Sequence, residues 1–445
     1  MKKIFLLFCV ICFVLISNSS LMAGGIDNKN NFSAEYIRTL NRSAATDSLD
    51  AIVYNPAGVM KMEDGKQASF SLQYVSKDYA NIVDGVSLGS DAPSAVPSLF
   101  GLYKQGKWAG FFSFTIPAGG GKVEYESGNA TTRIGVTGLA NLANGLLAPV
   151  IQAIPGLSGV AYDDVAGEKL EAESIYYGFT FGGAYEVDDS ISFSFAARYI
   201  SANKEASATF QLIPSAVGGL LPAPYTAVPL TAVLDYEDEG EGIGVIFGMN
   251  IDYEPFNISV KYESETDLDF KYAVNADTVT GQESGLGSEL GVVNGLEHSR
   301  NLPAVLAVGI GYKATPKFRI EAGITSYFNE DADWGGVENY VTNGYDAGIA
   351  FEYMVNPELK FSIGYLITET GMQAAVALNE APELDANSIG AGFQYMMNDN
   401  LKIDCGIGVV NYESDSYVDY SSGTPLVIGF EKDVTFFAVA LNYTF

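Results

Sequence analysis

The sequence predicts an all-β fold, an antiparallel transmembrane β-barrel of fourteen strands with an N-terminal plug in its lumen. Three observations carry that expectation. An export signal opens the chain, segments of two-residue alternation fill it from about residue 67, and the links between those segments alternate short and long. The last pattern is that of an outer-membrane barrel, with turns on the periplasmic side and loops outside.

Lys2 and Lys3 precede the apolar run 4–16, a polar Ser17-Asn18-Ser19-Ser20 stretch and then Leu21-Met22-Ala23. This order of charge, apolar core and small residue predicts a cleaved signal over 1–23. Its removal takes away Cys9 and Cys12, so Cys405 is expected alone and no internal disulfide can form. No later apolar stretch reads as a membrane helix of about 18 residues or more, so any crossing must use strands.

Residues 24–66 lack strand alternation. They are polar, turn-rich and locally helical, and they run through Asn41-Arg42-Ser43-Ala44-Ala45-Thr46-Asp47-Ser48-Leu49-Asp50-Ala51 into Ile52-Val53-Tyr54-Asn55-Pro56-Ala57-Gly58. Such a segment, ahead of a barrel with a small-residue lumen, is expected to sit inside it as a hatch.

The barrel is expected over 67–445. Strands are placed near 67–80, 96–105, 107–126, 170–187, 190–211, 230–253, 255–273, 300–314, 317–329, 340–354, 358–371, 386–397, 400–414 and 432–445. Phe70, Leu72 and Tyr74 alternate with Ser69, Ser71 and Gln73, and the final strand sets Phe437, Val439, Leu441, Tyr443 and Phe445 on one face. Six links are tight turns at Gln105-Gly106, Asp188-Asp189, Glu254-Pro255, Thr315-Pro316, Asn356-Pro357 and Asn398-Asp399. The outward face then meets outer-membrane lipid, while the inward face is mostly Gly, Ala, Ser and Thr. The terminal strand ending at Phe445 has the form read by the outer-membrane assembly machinery.

Composition narrows the function. The 445 residues hold 54 Asp+Glu against 24 Lys+Arg, a formal charge of -30 that removes the basis for binding nucleic acid. The acids, as in Asp235-Tyr236-Glu237-Asp238-Glu239 and Glu330-Asp331-Ala332-Asp333, are read as solvated charge on rims and loops, with no metal or cofactor implied. His298 is the single histidine, which excludes His-cluster metal sites. It is placed in a loop before the eighth strand, with no catalytic role.

Two external loops are unusually apolar. Leu139, Leu142, Leu146 and Leu147 form a helix-like stripe in one; Leu212, Ile213, Leu220 and Leu221 lie in the next. Both suit capture of a hydrophobic small molecule or packing over the barrel mouth. In the third strand Pro117-Ala118-Gly119-Gly120-Gly121 predicts a gap or bulge, because proline lacks a ladder donor and glycine weakens pairing. Arg198 and Lys204 share the inward parity of the fifth strand, where either could meet a substrate carboxylate.

The run Ser43 to Gly58 resembles the N-terminal hatch of the FadL/TodX family of outer-membrane transporters for long-chain fatty acids and other hydrophobic compounds, with Asn55, Pro56 and Ala57 matching that family's Asn-Pro-Ala motif. Asn301-Leu302-Pro303-Ala304 and the run from Tyr327 to Trp334 are also similar to the family. The resemblance implies passive uptake without enzymatic activity: capture by external loops, a site near the hatch, hatch rearrangement, and sideways exit into the membrane at a kink in the third strand. A non-specific aqueous porin and an outer-membrane lipid hydrolase working through His298 are the alternatives that the residues leave open.

Overall fold

The computed structural model describes residues 31–90 and 93–445. The expected signal and the first residues of the expected hatch lie outside the described residues. Fourteen long strands close into an antiparallel barrel. They are β1 (Gly65–Val83), β2 (Ser94–Gln105), β3 (Trp108–Tyr125), β4 (Tyr162–Asp188), β5 (Ile191–Pro214), β6 (Leu230–Tyr253) and β7, which runs over Phe256–Glu263 and resumes at Asp269–Val279. The rest are β8 (Val305–Thr315), β9 (Phe318–Tyr327), β10 (Gly344–Asn356), β11 (Leu359–Glu369), β12 (Ala386–Asn398), β13 (Leu401–Tyr412) and β14 (Leu426–Thr444). The seam closes between β1 and β14, in register from Gln67 opposite Thr444 to Val83 opposite Ile428.

Alternation produces the two faces. Phe70, Leu72 and Tyr74 are exposed on the outside, while Ser69, Ser71 and Gln73 are buried in the lumen. Closure of β14 on β1 leaves the sheet no free terminal strand, as a barrel in hydrocarbon requires.

Four of the six tight turns share one device. Asp188 Oδ1 accepts from the N–H groups of Ser190 and Ile191. Thr315 Oγ1 does the same for Lys317 and Phe318, Asn356 Oδ1 for Glu358 and Leu359, and Asn398 Oδ1 for Asn400 and Leu401. A short polar side chain at the strand end thus satisfies the turn amides, which is why these residue types stand there.

Three expectations need correction. The seventh strand is not continuous over 255–273, because residues 264–268 leave the ladder. The external loop after β3 holds a 24-residue helix, Ala130–Ala153, that is long and apolar enough to cross a membrane by length and composition; scattered Gly, Thr and Asn hide that run in the sequence. His298 lies on a short strand, Glu297–Ser299, instead of in a loop. Its ring stacks on Tyr272 and Phe270, and its Nε2 lies 3.1 Å from Asp238.

Candidate functional site

Residues from Asn31 onward fill the periplasmic half of the lumen. Helix α1 (Ala34–Ile37) is capped by Ser33, whose hydroxyl accepts from Tyr36 N–H, and α2 (Ala51–Tyr54) leads into a 3-10 turn over Pro56–Lys61. Ala45, Leu49, Ile52, Val59 and Met60 pack against inward Phe100, Leu102, Phe111, Ala184 and Ile246 of the barrel. The N-terminal segment is therefore inside the barrel.

The barrel wall makes room for it with glycine. A Cβ on Gly364 would overlap the carbonyl of Thr39, one on Gly390 that of Ile37, and one on Gly348 would press on that of Leu40. These positions carry no side chain because hatch backbone occupies the space.

Asn55 fixes the floor of the hatch. Its Nδ2 donates to Ala45 O at 2.9 Å and to Asn250 Oδ1 at 2.8 Å. Asn250 in turn donates to Asn257, which donates to Ala44 O, and Ser192 Oγ donates to Ala57 O. Pro56 occupies the first turn of the 3-10 segment, where no amide donor is needed. Gly58 lies so close to Asn55 and Ala45 O that any Cβ would collide with them. Asn55, Pro56, Ala57 and Gly58 thus act as one anchor, gripped by β5, β6 and β7.

A buried ionic cluster holds the other side. Arg38 reaches Asp404 at 2.9 Å and Glu352 at 2.7 Å, and also bonds Ser362. Arg42 pairs with Asp47 and Asp50, while Lys360 bridges Asp47 and Glu352. Arg319 joins Glu352 to Glu321 and donates to Ala44 O. Part of the acidity assigned to rims and loops is therefore inside the lumen, where it is matched by these cations. Glu35 has no cation on its carboxylate; Oε1 accepts from Asn442 and Oε2 has no partner among the described residues. Burial, then the charges of Asp404 and Asp50, pushes its carboxyl up to about 8.

Above the hatch lies a cavity of about 140 Å³. Phe32, Tyr36, Leu40 and Tyr54 form its floor; Pro117, Ala118, Leu302, Pro303, Val305 and Leu366 contribute the walls. A second space of about 130 Å³ shares Tyr36 and Leu40 and extends to Tyr412 and Phe436. Arg198 enters the first cavity already paired with Glu263 at 2.7 Å, an acid also bonded by Lys261 at 2.6 Å. Lys204, nearer the mouth on β5, has its ammonium 4.7 Å from the Phe270 ring and 5.6 Å from that of Tyr176.

The cavity meets the wall where β3 is irregular. The β3–β4 register slips between Thr115 and Ala118 and again between Ala118 and Gly121, with Gly119 and Gly121 at φ +95 and +69. Lys77 on β1 donates to the carbonyls of Gly120 and Lys122, which tethers the irregular stretch from behind. Over the mouth, helix α3 (Ala130–Ala153) packs Leu139 and Leu147 against Leu212 and Leu221. Leu142, Leu146 and Ile213 are half-buried, and Leu220 is exposed. The two apolar loops therefore form one cluster.

A hatched fourteen-strand barrel of this kind has relatives. The profile of the outer membrane protein transport protein family (OMPP1/FadL/TodX) matches residues 164–445. The chain belongs to this family. As a FadL/TodX-family protein it is an outer-membrane transporter of hydrophobic compounds.

Solved structures share the family fold over nearly all of the chain. A Pseudomonas aeruginosa FadL homologue matches at TM-score 0.64 and 15% identity, covering 95% of this chain and 100% of its own. The P. putida toluene transporter TodX matches at 0.62 and 14%, covering 94% and 99%. The Ralstonia pickettii toluene transporter TbuX matches at 0.57 and 16%, covering 97% and 100%. No curated protein matches the chain by sequence.

The structure places Asn55 in the hatch, bonded to Asn250, and Pro117 to Gly121 at the register slips of β3; sequence reading did not anticipate what surrounds them. That reading missed Arg38, whose acids Glu352 and Asp404 lie more than 300 residues away, the local pairing of Arg42 with Asp47 and Asp50 inside the hatch, and Asn250 and Asn257. The last two had one local signal: each is an inward polar residue within a few positions of the Glu254-Pro255 turn, at the level where a hatch must be tied.

Proposed function

We propose that the protein takes up hydrophobic small molecules, long-chain fatty acids or aromatic hydrocarbons, by loop capture, lodging beside the hatch and sideways release at β3. The carrying observation is the cavity that runs from Phe32 and Tyr36 of the hatch to Pro117 and Ala118 of the irregular strand. Leu139, Leu147, Leu212 and Leu221 offer an apolar first contact, and Leu142, Leu146, Ile213 and Leu220 extend it. A substrate carboxylate would meet Arg198 and Lys261, two cations that share one acid, with Lys204 nearer the mouth.

The energetics favour a sideways route. Each CH₂ of an acyl chain gains about 0.8 kcal/mol on leaving water, so release into periplasmic water would cost many kcal/mol and release into hydrocarbon would not. Rearrangement of the hatch, held through Asn55, would connect the cavity to Gly119, Gly120 and Gly121. Against an open aqueous porin stands the packed hatch; against a hydrolase, His298 lies stacked between Phe270 and Tyr272 with no nucleophile bonded to it among the described residues.

The test is uptake of labelled palmitate and labelled toluene by cells carrying the wild type, Asn55→Ala, or a variant with Gly119, Gly120 and Gly121 replaced by valine. Reduced uptake in both variants is expected. Unchanged uptake of both compounds in both variants would sink the hatch and β3 route.

A further inference from the structure

The β3 irregularity has a counterpart across the wall. On β6 the inward positions Gly240, Gly242 and Gly244 are all glycine, and β7 does not pair with Gly242–Gly244. Instead residues 264–268 fold into the lumen, and Thr266 bridges to Leu302. The Phe270 ring lies over Gly240, the Asp267 carbonyl over Gly242 and the Thr266 hydroxyl over Gly244, each where a Cβ would collide. The glycines are the floor on which β7 crosses inside the barrel.

The two breaks stand on one row of register partners. Successive register pairs run Ala118 to Tyr176, Tyr176 to Ala202, Ala202 to Gly240 and Gly240 to Phe270. Along that line Ala118, Tyr176, Ala202, Leu268 and Phe270 form a single apolar cluster on the inner wall. The cavity beside the hatch touches both ends, Pro117 and Ala118 at β3 and Glu263, Leu302 and Pro303 beside the β7 fold.

This row meets the outer edge of the lipid band on β5 and β6. Outward residues on β6 change from Phe247 and Ile243 to Glu241 and Glu239, and on β5 from Phe195 and Tyr199 to Ser201 and Asn203. Ile243, beside the missing ladder, is 68% exposed. Backbone without ladder partners is tolerated at membrane depth only where protein or a cavity backs it. Here the backing is the inward fold, in which the fully buried Thr266 Oγ1 has no hydrogen-bond partner among the described residues.

We propose that the β7 break is a second lateral portal, through which uncharged hydrophobic molecules pass between the outer leaflet and the cavity beside the hatch; it rests on the transport reading above. Its rim carries acids. Glu241 and Asp269 face each other across the β6–β7 pair directly above the gap, with Asp267 exposed next to them. Tyr199 and Asn301 bond two of the three, and no basic side chain pairs with any of them among the described residues. Like charges directly opposite weaken the closure there and repel a carboxylate, so a neutral hydrocarbon passes and a fatty-acid anion is left to β3.

A reversible staple tests this. Register partners across an antiparallel pair lie about 4.5–5.5 Å apart at Cα, within disulfide reach, so Glu241→Cys with Asp269→Cys in a Cys405→Ser background can be locked by oxidation and released by dithiothreitol. In whole cells, oxidation should lower labelled toluene uptake and reduction of the same protein should restore it, which separates closure from misfolding. Equal toluene uptake in the two redox states would overturn the portal. Glu241→Gln with Asp269→Asn should raise labelled palmitate uptake above wild type; an unchanged rate would overturn the charge selection. If the wild type takes up neither compound, the transport reading itself fails.

Discussion

Asn55 on the hatch donates to Asn250 Oδ1 on β6 at 2.8 Å, and both side chains are buried. The bond holds the residue that ends α2 at a fixed height in the barrel, through a neutral pair that needs no counter-charge. Removing the amide in Asn55→Ala strands Ala45 O and Asn250 Oδ1 at about 1–3 kcal/mol each. The expected result is a loosened hatch and a larger steady ion current in planar bilayers than the wild type gives.

Arg38 is the cation that two barrel acids share. Replacing it in Arg38→Ala leaves Asp404 and Glu352 with weaker compensation in the lumen, a loss of about 3–5 kcal/mol for a broken buried pair. Bilayer current should rise more than for Asn55→Ala, and Arg38→Lys should recover only part of the seal because lysine cannot span both acids with a planar fork.

Glu35 makes hatch seating sensitive to pH. Its carboxyl sits at about 8 in the folded protein against an ordinary 4.5. A raised value means that the seated hatch holds a proton which the released hatch gives up, so seating is strongest below about 4.5 and weakens as pH rises through about 8. Asp47 shifts the other way, held well below its ordinary range by Arg42 and Lys360 against the effect of burial, so its influence is confined to stronger acid. Ion current should therefore be larger at about pH 9 than at about pH 5, and Glu35→Gln should flatten the profile.

Gly364 offers a steric test. Valine there would drive its side chain into the Thr39 carbonyl, and overpacking of this kind costs about 1–3 kcal/mol or more. Gly364→Val is expected to keep the barrel, seen as unchanged heat-modifiable migration on gels, while raising ion current. A normal seal would show that the hatch does not need that space.

Much of the barrel was legible because its rules are local. Alternation gave β6 its limits at Leu230 and Tyr253, and Asn356 and Asn398 marked turns because their side chains cap the turn amides. The β7 break was not legible: Glu239-Gly240-Glu241-Gly242-Ile243-Gly244 keeps perfect alternation, and the reason for its glycines is a neighbouring strand that passes over them. The hatch motif could be read through Asn55, Pro56 and Ala57. The Arg38 cluster could not, since Glu352 and Asp404 look like ordinary inward polar residues until closure brings them together. Strands β4 and β5 extend further outward than expected, to Tyr162 and Pro214, so that Leu212 and Ile213, expected in a loop, stand on β5, because residues 162–170 and 208–214 pair strand to strand there.

Helix α1 touches both sides of the seam. Ala34 N–H donates to Ser71 Oγ on β1, and Asn442 on β14 donates to Glu35. These are the two strands farthest apart along the chain, yet they must find each other for the cylinder to shut. The glycine clearances show wall and hatch shaped to one another, and a hatch already in place eases closure of the wall around it. The plug is then also a mandrel. It sets the circumference on which the sheet is wrapped, and it presents to the first and last strands one common surface on which to meet.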